Sequence, residues 1–384
     1  MKRLVSFLLT LAVFFSVPLL VSAEGEEENQ DRLGINAVSC VLMEAETGKI
    51  LYAKNEGEAL PPASVTKIMT LLLVMEAVDS GKIALGDMVQ ISQYASSMGG
   101  SQVFLEEGES FSVEELIKCT VIASANDAAV ALAEHVCGSE ASFVEAMNQR
   151  AKELGLVSTH FENVTGLDDT TVQHETSALD IAIMSRMLIS HPLILQYSSI
   201  WMDSIRDGAF TLTNTNRLVR FYNGATGLKT GSTAKAKFCL SATATRDGMT
   251  LICVIMASPT RDDRNSEAMR LLDWGFANYT LFRDQQGEVC RMPVTHGTAD
   301  SVPLWKGEFC AVIPKDKRGE VQSQTNVPDT LAAPLSYGAE VGSVTYSLDG
   351  QVIGVCPVWV QEEVPSISFV GLFVRILKTF LHPC

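Results

Sequence analysis

The stretch "INAVSCVLMEAETGKILYAKNEGE" alternates apolar and polar positions on both sides of Glu46-Thr47-Gly48. That period of two predicts a pair of strands around a turn. Between residues 61 and 80 the pattern changes: Ile68, Met69, Leu71, Leu72, Leu73, Val74, Met75 and Val78 cover nearly every side of a helix. A helix that is apolar all round belongs in the middle of a domain. "FSVEELIKCTVIASANDAAVALAEHVCG" predicts two helical segments interrupted between Ser124 and Asp127. "SEASFVEAMNQRAKELG" is an amphipathic helix, and "ETSALDIAIMSRMLIS" is another, with Ser177 and Asp180 spaced as a capping-box variant. Two strong strands flank Asp247-Gly248, a pair suited to a two-residue hairpin loop. A last helix of this region is expected near 264–278.

Strands, then many helices, then strands predict an α+β fold over residues 35–280. The expectation is an antiparallel sheet with helices packed on it and a separate helical cluster. From 281 to 362 the texture changes to short apolar pieces separated by Gly, Pro and Asp, such as "GAEVGSVTYSLDGQVIGVCPVWV". A small all-β domain is expected there. Residues 1–23 read as a secretory signal: Lys2 and Arg3 precede an apolar run, and "VSA" ends at Ala23. The acidic segment 24–34 is expected to be a disordered leader. In 366–384, Ser368, Gly371, Arg375, Lys378, Thr379 and His382 fall on one stripe of a helical wheel, and Phe369, Val370, Leu372, Phe373, Ile376 and Leu377 lie on the rest. That pattern predicts an interfacial amphipathic helix that anchors the chain to a membrane surface. Arg375 and Lys378 would lie inside a transmembrane span, which disfavours one.

Charge and cysteine content narrow the functional classes. The formal net charge is -16, with no Lys/Arg cluster to offset it, so no nucleic-acid partner is expected. The nine cysteines are odd in number and form no CxxC pair. With Asp247-Gly248 as a two-residue turn, Cys239 faces Met256 and Cys253 faces Ala242. The two sulfurs then lie on opposite sheet faces and cannot bridge, so free buried thiols are expected. The six histidines are scattered without an HExxH, so neither a metal site nor a cofactor is expected.

Three short motifs carry candidate chemistry. In Ser64-Val65-Thr66-Lys67 the hydroxyl and the amine are three residues apart, so they share a helix face. Lys67 sits at the start of an oily helix, where the helix dipole and the apolar surroundings both disfavour its charge. Ser124-Ala125-Asn126 lies at the break between two helical segments, where an ordinary N-cap would account for it equally well. Lys229-Thr230-Gly231-Ser232 follows "NGATG" and precedes a strand, and its plain reading is a glycine-rich edge strand with a solvated lysine. In this order, 60 and then 105 residues apart, the three are far more specific than any one of them.

With "SSMGGSQVFLEEGESFSVEELIKCTVIASANDAA", "NVTGLDD" and "HETSALDIA", these motifs resemble the serine-type D-alanyl-D-alanine carboxypeptidases, the low-molecular-mass penicillin-binding proteins. The resemblance implies a β-lactamase/transpeptidase-like catalytic domain. It implies Ser64 as nucleophile, Lys67 as the base that takes its proton, and Ser124 as a proton relay. Asn126, Lys229, Thr230, Gly231 and Ser232 would bind substrate, with the amides of Ser64 and Ser232 forming an oxyanion hole. The implied substrate is a peptidoglycan stem peptide, and β-lactams would acylate Ser64 as covalent inhibitors. The implied location is the outer face of the cytoplasmic membrane. Three rivals remain at this stage: a DD-endopeptidase on the same motifs, a class A β-lactamase, and a non-catalytic wall-binding protein. No ExxLN lies between Asn126 and Lys229, which counts against the β-lactamase.

Overall fold

The computed structural model describes residues 33–381. Segment 1–23, nearly all of 24–34 and residues 382–384 lie outside the described residues. Contacts separate Met1–Ile35 from Asn36–Cys384, and the architecture below is that of the second unit.

Five strands form the central sheet: β1 (Ser39–Glu44), β2 (Ile50–Lys54), β3 (Ala225–Thr233), β4 (Lys237–Arg246) and β5 (Met249–Ser258). Their order is β2-β1-β5-β4-β3, and every neighbouring pair is antiparallel. Asp247 and Gly248 both have positive φ, 50° and 77°, as a type I′ hairpin turn requires. Arg246 therefore pairs with Met249 and Ala242 with Cys253. The expected register holds as far as Leu240 opposite Ile255; beyond it Phe238 pairs with Ser258, so Met256 and Ala257 together oppose Cys239 in a bulge. Ala257 absorbs the extra residue with φ 53°. All eight cysteines among the described residues are free thiols.

The helices that matter for the site are α1 (Lys67–Asp79), α2 (Val113–Ile122), α3 (Asn126–Cys137), α4 (Glu140–Glu153), α5 (Ala178–Ile189) and α6 (Arg261–Asn278). Helix α1 is buried along most of its length, from Lys67 and Ile68 to Ala77, with Leu73, Glu76 and Val78 half-buried and Asp79 exposed. It packs against α2, α3, α4 and α5 in a helical cluster beside the sheet. Helix α5 also covers β1 and β5, whereas α6 packs on β5, β4 and β1. Two helix starts differ from the sequence expectation. The chain enters α1 through a 3-10 turn, Ala63–Thr66. Helix α6 begins at Arg261 because Thr260 caps it, accepting from the Asp263 amide at 3.0 Å.

Eight strands follow: β6 (Tyr279–Asp284), β7 (Gly287–Thr295), β8 (Ser301–Lys306), β9 (Phe309–Pro314), β10 (Gln322–Asn326), β11 (Leu331–Ala332), β12 (Glu340–Leu348) and β13 (Gln351–Val360). Six of them form one sheet in the order β10-β12-β13-β8-β7-β11, and β6 pairs with β9. Val302, Leu304, Tyr346, Val358 and Val360 form their core. Arg283 joins this domain to the first turn of the central sheet by a bidentate ion pair with Glu46. Helix α7 (Phe369–Leu381) ends the described chain.

Candidate active site

Ser64 lies on a turn that the chain would not adopt unaided. Ala63 has φ 48°, a left-handed conformation unfavourable for an alanine. The turn then winds into the 3-10 segment and α1, which places the Lys67 side chain under Ser64. Lys67 is fully buried, and its Nζ lies 3.1 Å from Ser64 Oγ, 2.5 Å from Asn126 Oδ1 and 2.8 Å from Thr165 O. The Asn126 amide cannot be turned round, because its Nδ2 donates to Gly99 O at 2.7 Å. Asn126 Oδ1 and Thr165 O can only accept. They therefore take both N–H bonds of a neutral amine, and its lone pair is left facing the Ser64 hydroxyl.

Burial drives the Lys67 amine well below the ordinary lysine value, and the second cation of Lys229 adds to the shift. The buried carboxylate of Asp127 pulls the other way. Asp127 has a mechanical role too. It accepts from the amides of Val103 and Leu105 at 3.0 and 3.1 Å, holding the loop that carries Gly99 and Ser101.

Ser124 occupies the break between α2 and α3 with φ 63°. Its Oγ accepts from Lys229 Nζ at 2.8 Å, and the same Nζ donates to Thr230 O at 2.8 Å. Lys229 is 1% exposed, so the solvated edge-strand reading of its motif does not hold. Burial lowers its pKa to about 7, with Arg264 assisting. Gly231 lets β3 touch the turn that carries Ser64. A Cβ there would fall 2.8 Å from both Pro62 O and Ser64 N.

The sequence motifs thus meet in one place from three distant parts of the chain. Ser64, Ser124, Thr230, Gly231 and Ser232 line a cavity of about 730 Å³. Lys67, Asn126 and Lys229 are buried beneath its wall. Asn126 is bonded to Lys67 through Oδ1 and to Gly99 O through one of the two hydrogens of Nδ2.

Sequence reasoning missed the cations of the cavity. Arg217, Arg261 and Arg264 line it, and among the described residues no Asp or Glu does. Arg264 is buried, donates only to Asn265 Oδ1 and Cys239 O, and has its pKa lowered to about 10 by burial with help from Arg261. The cavity of a strongly acidic chain is therefore locally positive and suited to an anion. The available signal was the spacing of Arg264 with Ala268, Leu271 and Leu272, which puts it on the buried stripe of α6.

Comparison with known proteins agrees with this geometry. The family described as D-alanyl-D-alanine carboxypeptidase, peptidase S11, matches residues 25–260. The family described as penicillin-binding protein 5, C-terminal domain, matches residues 279–366. The D-alanyl-D-alanine carboxypeptidase DacF of Bacillus subtilis (strain 168) is 40% identical over 385 residues, covering 98% of each chain. Penicillin-binding protein 5 from Haemophilus influenzae superposes with a TM-score of 0.77 at 35% identity, over 86% of this chain and 98% of that one. Penicillin-binding protein D2 from Listeria monocytogenes, solved in its ampicillin-bound form, has a TM-score of 0.59 at 31% identity, over 64% of this chain and 99% of that one. The chain belongs to the peptidase S11 family of D-alanyl-D-alanine carboxypeptidases.

Proposed function

We propose that Ser64 is the nucleophile through which this carboxypeptidase removes the terminal D-alanine of a peptidoglycan stem pentapeptide. The observation that carries this reading is the Lys67 amine 3.1 Å from Ser64 Oγ, with two pure acceptors placed to take its N–H bonds when it is neutral. A serine hydroxyl is a weak nucleophile until an adjacent base takes its proton. Ser64 Oγ attacks the carbonyl carbon of the penultimate D-alanine as its proton passes to Lys67 Nζ. The amides of Ser64 and Ser232 stabilise the oxyanion. The peptide C–N bond then breaks, and the leaving amine receives a proton through Ser124, beside Lys229. Water hydrolyses the ester and restores Ser64. Arg217, Arg261, Arg264 and Thr230 receive the terminal carboxylate. A β-lactam enters by the same attack and opens its ring. Among the described residues no acidic side chain lines the cavity, so the extra general base that a β-lactamase uses has no counterpart there.

The test is covalent trapping. After incubation with penicillin, intact mass should rise by one drug molecule, and peptide mapping should place it on Ser64. Before labelling, the same enzyme should release one free D-alanine per pentapeptide cleaved. An adduct on any other residue overturns the assignment, and so does D-alanine release that persists after full labelling.

We further infer that the protein is exported and held peripherally at the outer face of the cytoplasmic membrane by residues 366–384. Supporting this, α7 leaves its apolar side bare, with Phe369 85% and Phe373 59% exposed. Its Arg375 turns back to Asp300 at 2.7 Å and to the carbonyl of Gly297 at 3.2 Å, tying one side of the helix to the β domain. Among the described residues no single helix is long and apolar enough to cross a membrane, which suits a helix lying in the interface. Deleting 366–384 is expected to move the protein from the membrane to the soluble fraction with its D-alanine release unchanged. Continued sedimentation with membranes would remove the anchor.

A further inference from the structure

We propose that His174 is a positioning residue for the nucleophile: its imidazole, gripped by the Glu162 amide, holds Thr66 and through it the Ala63 carbonyl of the turn that presents Ser64. The proposal rests on the assignment of Ser64 as nucleophile.

The hydrogen bonds form a chain with one direction only. The backbone N–H of Glu162 points at His174 Nδ1, 3.0 Å away, so Nδ1 must be an acceptor. A neutral ring then carries its proton on Nε2, which lies 2.7 Å from Thr66 Oγ1. Thr66 Oγ1 accepts that proton and donates its own to Ala63 O at 2.8 Å. Every donor has one acceptor. Protonating the ring would place a second N–H against the Glu162 N–H and break the chain at its first link. His174 is 3% exposed, and burial holds its pKa down at about 4, so the neutral form persists across the ordinary working range.

The grip is set from both ends. Glu162 closes the base of its loop, its carboxylate accepting from the amides of Val172 and Gln173, each at 2.8 Å. That fixes the approach of His174. At the other end Gly166, with φ 83°, lies so close to the turn that a Cβ would fall 1.8 Å from Ala63 O. The Ala63 carbonyl is therefore held between Thr66 Oγ1 and the loop. The same loop supplies Thr165 O to Lys67 and Val164 O to Thr70. Ala63 keeps its left-handed conformation because this loop backs it, and Ser64 is the next residue.

Two substitutions separate this role from mere packing. Glutamine at 174 can place an N–H where Nε2 stood and keep Thr66, but it loses the Glu162 contact. Asparagine can replace Nδ1 and keep Glu162, but it cannot reach Thr66. The measurement is stopped-flow acylation by a fluorescent penicillin, resolved into noncovalent affinity and acylation rate constant. His174→Asn should lower the rate constant about tenfold or more at unchanged affinity, whereas His174→Gln, which keeps the Thr66 contact but not the Glu162 one, should fall between it and the wild type. Thr66→Val should match His174→Asn, and the double variant should be no slower than either single one. Equal rate constants for the Gln and Asn variants would overturn the proposal, and so would additive losses in the double variant. Ser64→Ala is run alongside. If it still forms the adduct, the nucleophile assignment has failed, an outcome distinct from any ranking of the His174 variants.

Discussion

Lys67→Met is expected to slow penicillin acylation and D-alanine release by about a thousandfold, within the range for loss of a positioned general base. Lys67→Arg should be as slow, which makes the pair informative. A guanidinium keeps the positive charge but does not give up its proton in a protein. If Lys67 served only as a fixed cation, arginine would retain activity. If it acts as a base, both substitutions fail alike. The pH dependence has a definite sign. An ordinary lysine at pH 7.4 is neutral in only about one molecule per thousand. Burial and Lys229 lower the Lys67 value well below its ordinary one, so the neutral amine is the form that acylates. The acylation rate should therefore rise with pH through that lowered value and level off far below pH 10. A rate still climbing at pH 10 would mean that the base is an unperturbed lysine, and the mechanism would fall.

Gly231→Ala is the second large effect. The added methyl has three backbone neighbours, Pro62 O and Ser64 N at 2.8 Å and Val65 N at 2.9 Å. Backbone cannot swing aside as a long side chain can, so β3 and the nucleophile turn must separate. That moves the Ser232 amide relative to Ser64, and misplacing an oxyanion donor costs about a hundredfold or more in rate. Overpacking should also remove roughly 1–3 kcal/mol of stability. Gly57→Ala is the control, since a Cβ there meets nothing within 4 Å. Steady-state D-alanine release and thermal unfolding of both variants check this. A Gly231→Ala enzyme with wild-type kcat and the melting temperature of Gly57→Ala would show that the strand and turn do not press together.

Much of the fold could be read in the sequence because its signals are local. Asp247-Gly248 defines a hairpin by its backbone preferences alone, and the apolar run after Lys67 can only be an interior helix. The motif residues could be singled out because acyl transfer needs particular side chains at close spacing. The features that escaped are set by distant parts of the chain. Nothing near Ala63 announces its left-handed conformation. It is supported by Gly166, Thr66 and His174, and two of those lie about a hundred residues away. The bulge at Cys239 depends on Ala257 in the facing strand. Arg264 sits among Arg261, Asp262 and Asp263, which reads as a solvated helix start. Only its spacing with Ala268, Leu271 and Leu272 points the other way, and α6 laid on the sheet makes its burial plain.

Strand β3 is the last strand of its sheet. Ser198 Oγ and Asn216 Nδ2 already donate to two of its carbonyls, Thr226 O and Gly227 O. Beyond Lys229 the strand runs along the cavity through Thr230, Gly231 and Ser232. An open edge of this kind is a template for one more strand. An extended peptide laid there completes the ladder with its own main chain, whatever its side chains are. On the proposed function, backbone shape would provide affinity that is indifferent to sequence, and the arginines would select chains that end nearby in a carboxylate. Inhibitors that present an extended amide backbone to this edge gain binding independent of the chemistry at Ser64.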